Sequence, residues 1–334
     1  MMKSRSRKIC KAIGLGVVSI MALCAVFLLA CAINNQIQLK KESRILIPPG
    51  KIVEVNGHKM HVYAEGKGDA TCVFMAGSGI AGSELEFKGL YKKFSDEYRI
   101  AVVDRAGYGF SEVAGDKRDI DIILEETRKA LALAGEKAPY ILFPHSVSGV
   151  EAIYWAQKYP EEVKAVVGLD IGLPDLYVEH GIKKSDRFVM DVQAFLFKSG
   201  ILRLVPSMAL NAKILEGDFL SEKEKEVYKA LTYKNALSKN VLGEFKSIEA
   251  NARKSLALKL PAKTPIRIFL AVSSEAAEQR PDFVEQRANY YKDYVSKFDD
   301  GKVISLCGNH CIYLYEPETI AKESKAFIKS IITP

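Results

Sequence analysis

A serine at a sharp turn between a predicted strand and a predicted helix is the residue best placed for nucleophilic chemistry. The apolar run 140–143 stops at Pro144, and after Ser146 apolar residues recur at helical spacing until Pro160. So tight a turn needs compact neighbours and puts Ser146 at its apex, in strained backbone geometry. A serine hydroxyl is a poor nucleophile by itself, and it needs a neighbouring base that is oriented by a carboxylate.

The turn resembles the nucleophile elbow of the α/β-hydrolase family, whose usual pattern is small-x-Ser-x-small. Pro144 and Ser148 occupy the small positions, where most members have glycine. The resemblance covers roughly residues 50–334. It implies an α/β fold, with a mostly parallel sheet, flanking helices and an inserted helical lid. It also implies that Ser146 attacks the substrate to form an acyl-enzyme.

The family order along the chain is serine, then acid, then histidine. His310 is the expected base, because it follows the last predicted strand and precedes the closing helix. Glu275 and Asp170 each follow an earlier predicted strand, and parallel strands bring their carboxyl ends to one edge of the sheet. We expect Glu275 to be the acid, since it follows the strand that usually supplies it. Asp170 is the alternative.

Acyl transfer also requires donors to the negative charge that develops on the substrate oxygen, and these are usually backbone N–H groups. The N–H of Val147 directly follows the nucleophile. The resemblance implies that the second oxyanion-hole donor is the N–H of Ser78. Ser78 follows Ala76-Gly77, where the family commonly has His-Gly. Ala76 stands in place of that histidine, but the backbone N–H of Ser78 remains as a donor.

The elements that must position these residues alternate between strand and helix, which is typical of a mostly parallel sheet. Two alternating runs around Asn56-Gly57 predict an antiparallel hairpin before it. The later predicted strands cover residues 71–75, 99–103, 140–143, 163–169, 265–272 and 302–306. We therefore expect a hydrolase core in two parts, residues 51–171 and 261–334.

Residues 172–260 interrupt this alternation with helical segments and contain no convincing strand. In the resembled family an insertion at this position forms a lid over the active site. Apolar residues such as Phe188, Val192 and Phe195 recur on one face of its segment 186–199. They favour a small-molecule substrate with an apolar acyl or alcohol group.

The first 34 residues combine a basic cluster with an apolar span. Five basic residues lie between Lys3 and Lys11, and no charge follows until Lys40. Residues 12–33 are almost wholly apolar, close to the ~20 residues that cross a bilayer as a helix. We expect a single-pass anchor in the lipid bilayer of the cell membrane, followed by a polar tether at residues 35–50.

The basic cluster also predicts the orientation of this anchor. Positive charge favours the cytoplasmic side, so the N-terminus is expected in the cytoplasm and the catalytic domain outside. A cleaved signal peptide is one alternative. A lipoprotein signal is another, because Leu28-Leu29-Ala30-Cys31 resembles a lipobox.

The distribution of charge argues against a nucleic-acid-binding function. Most of the formal net charge of +7 comes from the N-terminal cluster, so nothing in the rest of the chain calls for nucleic acid. The resemblance implies a serine hydrolase of the carboxylester type, with an amide as the alternative substrate, and it implies no metal or organic cofactor. The same residues would also suit a perhydrolase or a carbon–carbon hydrolase. A catalytically silent binding protein of the same fold is the alternative of another class.

Overall fold

The computed structural model describes residues 2–115 and 117–332, with side chains from residue 11 onward, and these residues form one eight-stranded sheet. The strands are β1 (Lys51–Val55), β2 (His58–Glu65), β3 (Thr71–Met75), β4 (Arg99–Asp104), β5 (Tyr140–Pro144), β6 (Val163–Leu169), β7 (Ile266–Val272) and β8 (Gly301–Cys307). Their order across the sheet is β1-β2-β4-β3-β5-β6-β7-β8.

The sheet is antiparallel at one end and parallel elsewhere, which confirms the fold class predicted from the sequence. The β1–β2 hairpin turns at Asn56 and Gly57, both of which have positive φ. β2 pairs with β4 antiparallel, and all later pairs are parallel. β3 and β5 are buried along their whole length, because helices cover both faces of the sheet.

The helices of the described chain are α1 (Met2–Glu42), α2 (Ser83–Tyr91), α3 (Ile120–Ala134), α4 (Ser148–Lys158), α5 (Pro174–His180), α6 (Lys184–Lys198), α7 (Ala212–Glu216), α8 (Glu222–Asn235), α9 (Lys239–Leu256), α10 (Ser274–Gln279), α11 (Pro281–Val295) and α12 (Pro317–Ile332). α3, α4 and α11 share one apolar core with the sheet. α2 and α12 share the other.

Helices α5 to α9 lie between β6 and β7, and this described stretch contains no strand. α9 is tied to the core by a buried ionic network. Glu244 of α9 accepts hydrogen bonds from Arg105 at 3.0 Å, Arg118 at 3.2 Å and the Tyr108 hydroxyl at 2.7 Å. Burial raises the pKa of Glu244, but the two guanidiniums more than offset this effect, and its pKa lies below the usual value.

The structure differs from the sequence analysis after the apolar span. α1 continues without a break to Glu42, so residues 35–42, the first part of the predicted polar tether, are helical. No glycine or proline occurs between Gly16 and the end of the helix at Glu42, so no helix-breaking residue separates positions 35–42 from the apolar span. The side chains at 11–30 are largely exposed, whereas Cys31 and Asn35 are buried against the inserted helices.

Replacing Glu244 by alanine is expected to destabilise the fold. The change leaves Arg105 without its nearest carboxylate and Arg118 with Glu126 as its remaining close partner, and breaking a buried ion pair costs about 3–5 kcal/mol. Urea unfolding of the detergent-solubilised chain measures the loss in the free energy of unfolding. Glu249→Ala is the matched control on α9, because Glu249 pairs with Arg253 near the surface and should cost about 0.5 kcal/mol. Equal losses for the two variants would contradict the role given to the network.

Candidate active site

Ser146 lies between the end of β5 and the start of α4, in the turn predicted from the sequence. Its φ of 56° is in the left-handed region, which a non-glycine residue seldom adopts. The turn is held by Ser148, whose hydroxyl accepts from the His145 N–H at 2.9 Å and lies 2.8 Å from the Met75 carbonyl. The short Ser148 side chain therefore stabilises the turn directly.

Ser146 and His310 lie within hydrogen-bond distance of each other. The Ser146 Oγ is 2.8 Å from Nε2 of His310, and Nδ1 of the same ring is 2.7 Å from Oδ2 of Asp170. An ionised carboxylate only accepts hydrogen bonds, so Nδ1 carries the proton. The Nε2 lone pair is then free to take a proton from the Ser146 hydroxyl.

Asp170 follows β6 directly and is 4% exposed. Its second oxygen accepts from Arg287 Nη2 and from the Ala271 N–H, each at 2.8 Å. Burial raises the pKa of this carboxyl, but the hydrogen bond from His310 and the charge of Arg287 lower it by more. The pKa of Asp170 is therefore below its ordinary value, and the group is ionised at neutral pH.

The expectation that Glu275 contacts His310 is wrong. Glu275 is exposed in the first turn of α10, and its side chain bonds to no other group in the described residues. The chain enters α10 immediately after β7, because Ser273 caps that helix by accepting from the Ala276 N–H at 3.1 Å. Glu275 is thereby placed at a helix N-terminus in solvent, where a carboxylate is favoured. The alternative, Asp170, occupies the position beside His310.

The two expected oxyanion donors are available. In the described part of the chain, neither the Ser78 N–H nor the Val147 N–H donates to an acceptor. Gly77 lets the Ser78 loop approach the elbow, since a Cβ there would lie 2.9 Å from Cβ of Ser146. Arg105 holds the same loop by donating to the Ala76 carbonyl at 2.7 Å. The N–H groups are thus fixed in place without being used by the fold.

His145 is a site residue that the sequence analysis missed. Its ring centroid is 4.7 Å from that of His310, and its Nε2 lies 3.1 Å from the His310 carbonyl oxygen. Burial and the neighbouring His310 lower the pKa of His145 to about 3, so the ring is neutral and donates from Nε2. It therefore supports the His310 loop without adding charge. The signal in the sequence that could have identified His145 is its position directly before Ser146.

A cavity of about 330 Å³ separates the sheet edge at Ser78 from the inserted helices. Its apolar lining from the inserted helices consists of Met190, Leu196, Phe197, Leu202, Met208, Ala209, Ala236 and Leu237. Glu86 of α2 also lines it, and burial raises the pKa of this carboxyl to about 7. The cavity can hold an apolar chain next to Ser78, one of the two expected oxyanion donors.

The comparisons with known proteins agree with this geometry. A family model described as the alpha/beta hydrolase fold matches residues 75–199. Over 314 residues the chain is 44% identical to Uncharacterized protein YbdG of Bacillus subtilis (strain 168), covering 94% of this chain and 96% of that protein. The chain belongs to the α/β-hydrolase family.

Solved hydrolase structures share the fold of this α/β hydrolase. Epoxide hydrolase VrEH1 from Vigna radiata is similar with a TM-score of 0.63 and 20% identity, covering 84% of this chain and 97% of that one. The haloalkane dehalogenase DbeA-M1 loop variant from Bradyrhizobium elkanii has a TM-score of 0.56 and 18% identity, with 84% and 96% covered. At these identities the likeness concerns the fold. Together with the family match it supports a hydrolase.

Changing Asp170 to asparagine should slow the reaction of Ser146 with a fluorophosphonate probe by about three orders of magnitude or more. The amide can no longer hold the proton on Nδ1 and stabilise the imidazolium, and such a change in a serine triad costs about 10⁴ in turnover. The labelling rate is measured by gel fluorescence. Glu275→Gln is the matched control and should change the rate less than tenfold. A dead Glu275→Gln with an active Asp170→Asn would reject the geometry.

Proposed function

We propose that this α/β hydrolase is a membrane-anchored serine hydrolase that cleaves carboxylic esters through an acyl-enzyme. The observation that carries the proposal is the continuous hydrogen-bonded series from Ser146 through His310 to Asp170. The N–H groups of Val147 and Ser78, which bond to no acceptor in the described residues, follow Ser146 and line the apolar cavity respectively, and together these features are what acyl transfer needs.

In the first half-reaction, Oγ of Ser146 attacks the ester carbonyl carbon while Nε2 of His310 takes the hydroxyl proton. The oxygen that becomes negative receives hydrogen bonds from the N–H groups of Ser78 and Val147. Asp170 stabilises the imidazolium. The ester C–O bond then breaks, and His310 passes its proton to the departing alcohol.

In the second half-reaction, water takes the place of the alcohol. His310 removes a proton from the water as its oxygen attacks the acyl carbon, and the same two N–H groups stabilise the second oxyanion. The bond to Ser146 then breaks and the serine recovers its proton from His310. The products are a carboxylic acid and an alcohol, and no cofactor takes part in either step.

The nucleophile separates this chain from the functions named for its structural neighbours. Epoxide hydrolases and haloalkane dehalogenases of this family attack with an aspartate, which forms an alkyl ester with the substrate. Alkyl transfer to the Ser146 oxygen would instead give an ether, which water does not readily cleave, whereas acyl transfer gives an ester that can be hydrolysed, so Ser146 suits a substrate with a carbonyl carbon. The proposal therefore rests on the site and not on the fold.

The anchor part of the proposal rests on α1. Its stretch Lys11–Glu42 is, in the described chain, the one helix long and apolar enough to cross a membrane. Its apolar side chains are exposed, with Leu15 and Leu23 each at 70%, so no part of the fold covers them. The basic cluster before it supports an orientation with the N-terminus in the cytoplasm and the catalytic domain outside.

Ser146→Ala should abolish ester hydrolysis while the fold is retained, because only one hydroxyl is lost. We expect kcat to fall by at least about three orders of magnitude on p-nitrophenyl esters of varied acyl length. Ser296→Ala, at the exposed end of α11, is the control and should behave as wild type. Wild-type turnover by Ser146→Ala would overturn the mechanism. A wild-type chain that hydrolyses no ester and takes no fluorophosphonate would favour a catalytically silent binding protein.

Protease added to intact spheroplasts should digest the catalytic domain, because the positive-inside rule places it outside the cytoplasm. Immunoblotting of the membrane fraction detects the loss, with a cytoplasmic protein as the control for integrity. Protection of the domain until the cells are lysed would reject the orientation. Release of a soluble domain of reduced mass would instead indicate a cleaved signal.

A further inference from the structure

The helix α6 carries apolar side chains on two opposite faces. Its inner face contributes Met190 and Phe197 to the cavity beside Ser78. The other apolar face is open to solvent and continues into the segment after α6. We call this surface the outer lid face; its members are Phe188, Val189, Val192, Phe195, Leu204, Val205 and Met208.

This surface is too apolar to be an ordinary exposed surface. Phe188 is 69% exposed, Phe195 53% and Met208 70%. The four members on α6 are spaced so that they lie along one side of the helix. Soluble proteins seldom expose apolar side chains in such a group, and a patch of this kind marks a surface that something covers.

The anchor helix contacts the same segment of the chain. The Asn35 side-chain amide donates to the Lys198 carbonyl at 3.2 Å, at the end of α6. Arg203 donates to both carboxylate oxygens of Glu42, at 2.6 and 2.7 Å. The two segments touch closely at Gly200, where a Cβ would lie 2.7 Å from the Cys31 carbonyl oxygen. α1 and the end of α6 are therefore joined by packing and by charge.

The position of this contact along α1 determines how deep in the bilayer the contact would lie. The apolar span ends at Ile33, and at 1.5 Å per residue Asn35 is only about 3 Å further along the helix. The polar layer of a bilayer is roughly 5–8 Å thick on each side. With α1 across the membrane, the contact with α6 lies in that layer. The exposed Lys183, Lys184 and Arg187 near the start of α6 can carry their charges to lipid phosphates in that layer on long apolar stems.

We propose that the outer lid face rests in the outer surface of the bilayer that α1 spans, and that the cavity takes long-chain lipid esters from that bilayer. Met208 belongs both to the outer lid face and to the cavity lining, so the cavity meets this surface. This inference rests on the proposed function, because it names the substrate class of the Ser146 site. The acyl chain passes into the apolar cavity, and the ester carbon reaches Ser146.

The depth of the outer lid face is tested with tryptophan in the full chain reconstituted in phosphatidylcholine–phosphatidylglycerol vesicles. Trp155 is the chain's single tryptophan and is fully buried, so it adds little background. Doxyl-labelled lipid should quench Phe188→Trp strongly. It should quench Leu133→Trp no more than wild type, since Leu133 is also apolar and exposed but lies on α3. Equal quenching of the two variants would overturn the docking.

The substrate class is tested with 4-methylumbelliferyl oleate in the same vesicles and with the water-soluble acetate. The double variant Phe188→Asp, Val192→Asp should lose about tenfold or more of the oleate rate, because two apolar contacts with the bilayer are replaced by charges. Its acetate rate should be unchanged, since neither residue lines the cavity. Leu133→Asp should keep both rates.

An unchanged oleate rate in the double variant would overturn the inference, while activity on the acetate would leave the proposed esterase standing. A double variant that loses both rates equally would also overturn it, because the loss would then lie in the catalytic site. A wild-type chain that cleaves neither ester would instead contradict the proposed function itself. The failure of the inference and the failure of the proposed function are thus separate results.

Discussion

The carboxylate of Asp170 accepts hydrogen bonds from His310, Arg287 and the Ala271 N–H, and it is almost completely buried while doing so. A buried charge without such partners would cost several kcal/mol, and the site can hold it only because three donors converge on it. The ionised carboxylate in turn sets the tautomer of His310 and thereby leaves Nε2 to Ser146. The position of one charge at the end of β6 therefore determines the chemistry of the site.

The inserted helices are joined to the rest of the chain at two separate places. Arg105 contacts Glu244 of α9 and also the Ala76 carbonyl, so the same guanidinium holds the lid helix and the loop of Ser78. At the other place, Asn35 and Glu42 of α1 hold the end of α6 and Arg203. A displacement of the lid would strain both contacts. The cavity wall, the expected oxyanion donors and the anchor helix are consequently parts of one connected structure.

Under the proposed membrane arrangement, α1 has a role beyond attachment. A flexible tether would let the catalytic domain turn freely above the membrane, whereas a helix that is continuous to Glu42 and packed on α6 restricts its orientation. Under the proposed docking, this orientation turns the exposed apolar side chains of the lid towards the lipid. Burial of those side chains in the bilayer would offset their exposure in water. Substrate access and attachment then depend on the same few contacts.

The sequence by itself determined the sheet, the elbow at Ser146 and the candidate base His310, because each depends on local patterns: apolar runs, a compact turn and the residue that follows a strand. The choice between Asp170 and Glu275 was left to the tertiary structure. Both follow a strand, and only the Ser273 cap and the pairing with Arg287 distinguish them. His145 and Glu86 likewise gained their surroundings from residues distant in sequence. The contact between α1 and α6 joins segments more than 160 residues apart, and no local periodicity encodes such a distance.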